Sequence, residues 1–333
     1  MPQAKGKKKW NTKWLSILIK SIITCVAIIY VFYIIKEEYL TVGKDNFYKQ
    51  LYNLNINGQS LYIVIMLMLI NWGLEIIKWR YIVKKVEPIS YADAIKGVLS
   101  GITVSIFTPK RIGEFAGRIL YLDSSNRGKG VIATLIGSIS QLLTTIIAGI
   151  AAILCYIFTN NIDILQFRLP NTLILLYSLT AVVLLLLLYL NTWIISDVLK
   201  RINLINRFSQ YFEVFKWYTS KELLKVLLLS VLRYISFTIQ FYLLLLIFGV
   251  EISLIDGFVR ISITFLALAS IPSTILSELG IRESVSVKLI GSLSSLKIPV
   301  IMASFGLWLI NIALPAIIGS FFFITAKMFR NKQ

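Results

Sequence analysis

Long apolar runs alternate with short polar connections along the whole of this 333-residue chain. The runs at about 14–35, 60–82, 131–158, 171–192, 224–248 and 299–326 are each long enough to cross a hydrocarbon core of roughly 30 Å, and they predict six full helical spans. Two further apolar segments are broken. Residues 92–107 offer only about 16 apolar positions, roughly 24 Å of helix, before they stop at Thr108-Pro109. Residues 257–290 are interrupted by Pro272 and then by the polar string Ser277-Glu278-Leu279-Gly280-Ile281-Arg282-Glu283. Each broken segment predicts a re-entrant helical hairpin that enters and leaves on one side. Its irregular tip is permissible only where protein or a water-filled cavity covers it.

Charge orients these segments. Lys5, Lys7, Lys8, Lys9 and Lys13 precede the first run, which at roughly 22 residues exceeds the h-region of a cleavable signal peptide, about 7–15, and predicts an uncleaved span starting in the cytoplasm. The loop 36–59 has no positive bias and belongs outside. Lys78, Arg80, Lys84 and Lys85 mark the exit of the second span as cytoplasmic. The connection from Lys200 to Lys225 is basic in the same way, as are Lys327, Arg330 and Lys332 after the last span. Both termini are therefore expected in the cytoplasm, with the chain in a bacterial plasma membrane, the cell inner membrane. The order span, span, hairpin, span then repeats with opposite orientation. We read an all-α, polytopic, single membrane domain over 1–333, with inverted halves at 14–158 and 171–327. Interrupted segments at matching positions of two such halves point to a transport site near the midplane.

Composition agrees. Hydrophobic residues make up 57% against 15% charged, and mean hydropathy is +0.79, a balance that no soluble domain of this length tolerates. The formal charge of +18 would raise the question of nucleic acid in a soluble protein. Here the excess lies beside the ends of apolar runs, where orientation and anionic headgroups account for it, and no nucleic-acid partner is expected. Cys25 and Cys155 are isolated within apolar runs, so no disulfide framework is expected. Histidine is absent altogether. With no His and no Asp-x-Asp string, neither a metal site nor a cofactor is expected, and no catalytic residues stand out.

The candidate chemistry sits at the two breaks. Thr108 as N-cap followed by Pro109 at the first helical position predicts that the second arm of the first hairpin starts there. Its N-terminus, with Lys110 and Arg111, would make an anion site, while Glu114 stands four residues before Arg118 and can pair with it. Alternatively, Lys110 and Arg111 mark the interface and Glu114 merely neutralises Arg118. Gly97-Gly101 and Gly113-Gly117 have the small-xxx-small spacing that lets two arms pack closely. In the second hairpin Gly280, Arg282 and Glu283 supply the same residue types after Pro272. Glu278, Arg282 and Glu283 are either site residues or a self-contained ion cluster. Arg233, with Ser236 and Gln240, either lines the cavity or snorkels. Asn71 and Glu75, one turn apart, suit hydrogen bonding between helices, and Trp308, Asn311 and Pro315 read as a kink with a polar residue holding it.

At these residues the chain resembles the transmembrane region of the lysylphosphatidylglycerol synthase family, also called flippase-like or dolichol-phosphate-glucose-synthetase-like. Pro109, Arg111, Gly113, Glu114 and Arg118 match the family's first string; Pro272, Leu279, Gly280, Arg282 and Glu283 match its second. Ser277-Glu278 depart from it, since small residues, commonly Gly, are usual there. The resemblance covers essentially the whole chain. It implies translocation or handling of a lipid, a phospholipid or a polyprenyl-phosphate-linked sugar. The soluble aminoacyl-transferase domain of two-domain members is not seen before Gln333, so lysyl transfer from tRNA is not expected. The expected function is a lipid flippase or transporter, not an enzyme. Lys110, Arg111, Glu114, Arg118, Arg233, Glu278, Arg282 and Glu283 are its candidate headgroup contacts, with Pro109, Gly113, Pro272 and Gly280 shaping the backbone. A membrane enzyme acting on lipid-linked substrates, or a scaffold for one, is the alternative. The sequence carries no signal of oligomeric state.

Overall fold

The computed structural model describes residues 36, 40, 58–106, 108, 111–160, 171–202, 208–271, 275–291 and 297–326. The expected span at 14–35, Pro109, Lys110, Pro272 and the C-terminal basic residues from Lys327 lie outside these. Glu278 is described as a helical position only. The described elements are all helical.

The helix α1 runs Gly58–Val83, and α2, Tyr91–Ile106, folds back on the short α3, Gly113–Ile119. A 3-10 turn at Ser124–Asn126 leads into α4, Arg127–Asn160, followed by α5, Asn171–Leu190. Short elements connect α5 to the next span: α6, Thr192–Lys200, α7, Ser209–Phe212, and a 3-10 segment at Glu213–Trp217. The span α8, Ser220–Ile247, precedes the pair α9, Leu254–Ser270, and α10, Ile275–Leu289. The last span is α11, Ile298–Trp308, and α12, Leu314–Thr325, joined by one wide π turn at Leu309–Ala313. Among the described residues, five helices or joined helices are long and apolar enough to cross a membrane: those over 58–83, 124–159, 172–190, 220–247 and 298–325.

Local chemistry explains the punctuation. Thr219 caps α8 reciprocally with Glu222, and Ser253 accepts from the Asp256 amide at the start of α9. Pro315 has no N–H to give to the carbonyl four residues back, that of Asn311, and its ring crowds that carbonyl. The helix widens into the π turn at this point. The short elements between α5 and α8 replace the loop expected there. Lys200 pairs with Glu213 at 2.5 Å and Lys216 with Asp197 at 2.5 Å.

Packing is tightest where glycines permit it. A Cβ on Gly117 would lie 2.6 Å from the Gly101 Cα, and one on Gly113 would lie 2.5 Å from the Val104 carbonyl oxygen. The α2/α3 arms are therefore antiparallel and in backbone contact, as the small-xxx-small spacing predicts. Gly319 of α12 is as close to the Leu99 carbonyl of α2. Two large apolar clusters, one around Phe241, Ile261 and Leu307 and one around Ile136, Phe215 and Leu223, hold the remaining spans. By contrast, Leu176, Leu179, Leu184 and Leu188 of α5 face outward, where lipid is the solvent.

The contacts have an exchange symmetry. Swap α1 with α8, the α2/α3 pair with α9/α10, and α4 with α11–α12, and the contacts among these elements are returned. Thus α2 packs on α12 as α9 packs on α4, and α1 on α4 as α8 on α11. The two exchanged helices α1 and α8 lie against each other and run antiparallel: Gln240 reaches the Val64 carbonyl at one end, and Lys85 reaches Glu222 at the other.

Candidate functional site

The centre of the site is a carboxylate. Glu75 faces inward from α1 and is 3% exposed. Its Oε1 accepts from the Arg118 guanidinium of α3 at 2.8 Å; its Oε2 accepts from Arg233 of α8 at 2.7 Å and from Lys78, one turn along α1, at 2.8 Å. Arg118 also bonds Glu114, one turn before it. A charge in this setting is tolerable only when paired and hydrogen-bonded, and every member of the cluster meets that condition through another.

A polar chain extends it. Arg233 Nε donates to the Asn71 side-chain oxygen at 3.0 Å; Asn71 donates to Asn311 at 3.1 Å, and Asn311 to Gln240 at 2.8 Å. This amide chain ties α1 and α8 to the π turn of the last span. Lys78 Nζ has two further acceptors, Gln141 of α4 at 3.4 Å and Ser230 of α8 at 3.3 Å.

A cavity of about 220 Å³ opens onto this network. Its polar lining is Glu75, Lys78, Ser105, Arg111, Glu114, Ser138, Gln141, Thr145 and Arg233, and Trp72, Ile102, Leu142 and Ile312 supply an apolar side. Arg111 lies at the tip between α2 and α3 with φ 56, the left-handed region that few non-glycine residues occupy. Backbone held there costs roughly 1–3 kcal/mol and persists only where its surroundings fix it.

The structure thus brings Arg111, Glu114, Arg118 and Arg233 of the expected residues together. Arg233 turns inward to Glu75 and stacks over Trp72 instead of snorkelling. Gly113 lies at the tight α2/α3 contact. Other expectations change. The α-helical part of the second arm runs from Gly113, and Thr108 accepts from the Gly113 amide at 2.7 Å; the expected start at Pro109 lies outside the described residues. With only 7 residues, α3 contributes little dipole, so the pull on an anion comes from side chains. The string Ser277–Glu283 is not a break: it lies inside α10, and the interruption falls before Ile275. Arg282 and Glu283 are buried on that helix, as is Gly280, and among the described residues none of α9 or α10 lines the cavity. The described lining lies beside the α2/α3 pair. Lys110, Pro109, Pro272 and the Glu278 side chain lie outside what is described.

Glu75 and Lys78 are the functional residues that sequence reasoning passed over. Glu75 counted as a helix-to-helix hydrogen-bonding residue, and Lys78 as one more basic residue at a span's exit. Lys78 is instead 2% exposed and points into the bundle. The available signal was spacing: Asn71, Glu75 and Lys78 recur at four and three residues, on one face of α1.

The model of the lysylphosphatidylglycerol synthase TM region matches residues 17–319, and the chain belongs to that family. It is an integral membrane protein of a family concerned with lipid modification or transport. No curated protein and no solved structure matches it.

Proposed function

We propose that this member of the lysylphosphatidylglycerol synthase transmembrane family translocates a lipid with an anionic headgroup, phospholipid or polyprenyl-phosphate-linked, through the cavity beside the α2/α3 hairpin. The observation that carries the reading is the charge of that cavity. Four cationic side chains, Lys78, Arg111, Arg118 and Arg233, line it or bond directly to its walls, against two carboxylates, Glu75 and Glu114. A surplus of positive charge among the described residues, in an apolar surround, favours an anion, and guanidinium groups suit a phosphate's oxygens. The apolar side formed by Trp72, Ile102, Leu142 and Ile312 suits the start of the lipid's chains.

The exchange symmetry of the helix contacts, with α1 and α8 antiparallel, supports an inverted repeat whose halves meet at the site and rock about it. The α2/α3 pair is then re-entrant, its strained tip at Arg111 covered by the cavity it lines. No catalytic role is assigned to any residue. The orientation is the one the basic connections dictate, with both termini cytoplasmic in a bacterial plasma membrane.

The test is translocation of a labelled phosphatidylglycerol in proteoliposomes. Wild-type protein moves the lipid between leaflets, and Arg111→Gln, which removes a cavity cation, slows movement at least tenfold in protein that still folds, as its melting transition reports. Equal rates in the two proteins, or none above protein-free liposomes, overturn the reading.

A further inference from the structure

Among the described residues at the cavity, Lys78, Arg118 and Arg233 outnumber the carboxylates Glu75 and Glu114 that they bond. Among the described residues, Lys78, Arg118 and Arg233 share Glu75, and Glu114 serves Arg118 a second time. The groups facing Lys78 from each packed helix are few. They are Glu75 on its own helix, Arg233 and Ser230 on α8, Gln141 on α4 and, through Glu75, Arg118 on α3; α2 and the π turn present no charged group to it. Uncompensated charge in such surroundings has two remedies: an anion arrives, or a proton leaves.

Only one of the cations can lose its proton. A guanidinium stays protonated in proteins, whereas a buried ammonium gives up its proton readily. Lys78 is also the member placed for exchange. Lys78 lines the cavity, while Gln141 and Ser230 remain as partners for a neutral amine. Protonating Glu75 instead would enlarge the surplus.

We propose that Lys78 couples proton and headgroup in this site: its neutral amine takes up a proton from the buffered solution as the anion enters, and returns it there as the anion leaves. The inference rests on the anion-translocating reading above. Proton and anion then favour each other reciprocally, so each strengthens the other's binding by the same factor. Through an alternating site this linkage carries a proton in the same direction as the headgroup.

The experiment is calorimetric titration of the full chain in nanodiscs with dihexanoyl phosphatidylglycerol, a phosphodiester with no titrating proton of its own near neutral pH. It is run at a series of pH values, each in two buffers of different ionisation enthalpy. Wild-type binding should take up protons, rising with pH toward one per headgroup, and its affinity should fall as pH rises. Lys78→Arg fixes the charge: binding should persist with no uptake and a flat pH profile. Lys78→Met guards against a misfolded arginine variant; it should bind more weakly, again with no uptake. Binding by wild type that is identical in the two buffers at every pH overturns the coupling and leaves the anion site standing, as does wild-type uptake in either variant. Absence of any wild-type binding overturns the site and the coupling together.

Discussion

The Oε2 of Glu75 lies 2.7 Å from the Nη1 of Arg233, joining residues 158 positions apart and closing α1 against α8. Neither group can be removed without stranding the other's neighbours, but the two removals are not equivalent. Glu75 serves three cations; Arg233 is one of three partners to Glu75.

Glu75→Ala should therefore be the more damaging. Breaking a buried pair by deleting one partner costs about 3–5 kcal/mol. Arg233→Ala leaves Glu75 bonded to Lys78 and Arg118 and should cost about 1.5–3 kcal/mol, the worth of hydrogen bonds to a charged group. Thermal unfolding in nanodiscs ranks the two, and a larger loss from Arg233→Ala would contradict the hub role of Glu75.

Arg111 sets stability against function. Arg111→Gly relieves the left-handed backbone at the hairpin tip and should raise stability by up to about 1 kcal/mol, while it removes a cavity cation. Melting should rise as translocation falls. A destabilised Arg111→Gly protein would mean that the arginine's contacts outweigh its strain.

Two glycines should respond oppositely to alanine. Gly117→Ala drives a methyl against the α2 backbone at Gly101 and should cost about 1–3 kcal/mol or more. Gly73→Ala, in α1, meets nothing within 4 Å and should gain roughly 0.5–1 kcal/mol from helix propensity. Proteolysis rates and melting report both; equal effects would rule out a close-packed α2/α3 hairpin.

The amide chain predicts a coupling. Asn311→Leu should cost about 1–3 kcal/mol by removing the partner of the Asn71 Nδ2 and the Gln240 Oε1. Adding Gln240→Leu should cost less than the sum of the singles, since the partner already lost cannot be lost again. A double-mutant cycle measures this, and strict additivity would contradict a shared network.

The short helices between α5 and α8 should loosen in acid. Hydrogen bonding to Lys216 holds the Asp197 carboxyl below its usual range, and hydrogen bonding to Lys200 does the same for Glu213. A carboxyl lowered in the folded state stabilises it above the unfolded value, about pH 4, and that contribution fades as pH falls through the lower folded value. Hydrogen-exchange protection factors over 192–202 and 208–217 should fall below about pH 4, and unchanged protection would show the pairs to be inert.

The spans were legible because length and hydropathy alone specify them. The runs read at 60–82, 171–192 and 299–326 correspond to helices at Gly58–Val83, Asn171–Leu190 and Ile298–Thr325. Pro315 announced an irregularity in the last span for the same reason, a missing N–H being a local fact, though it read as a kink and the structure has a π turn. What sequence could not supply was the direction in which a polar residue faces. Lys78 and Arg80 are two positions apart, equally basic, and both near a span's end, yet Lys78 serves Glu75 within the bundle while Arg80 donates to the Ile89 carbonyl and stacks on Tyr91. The string Ser277–Glu283 misled in the opposite way, since polarity within an apolar segment reads as a break even where a buried helix accommodates it.

The i,i+3 pair of Glu75 with Lys78 also bears on biogenesis. During synthesis α1 leaves the ribosome long before Arg233 exists; at 5–20 residues per second the 158 intervening positions take on the order of 10–30 s. For that interval the helix must sit in the bilayer or its insertion channel with a carboxylate at its centre. A counter-ion one turn away on the same helix makes the segment nearly neutral by itself, so it can be released into lipid and wait for its partner without a chaperone to hide the charge.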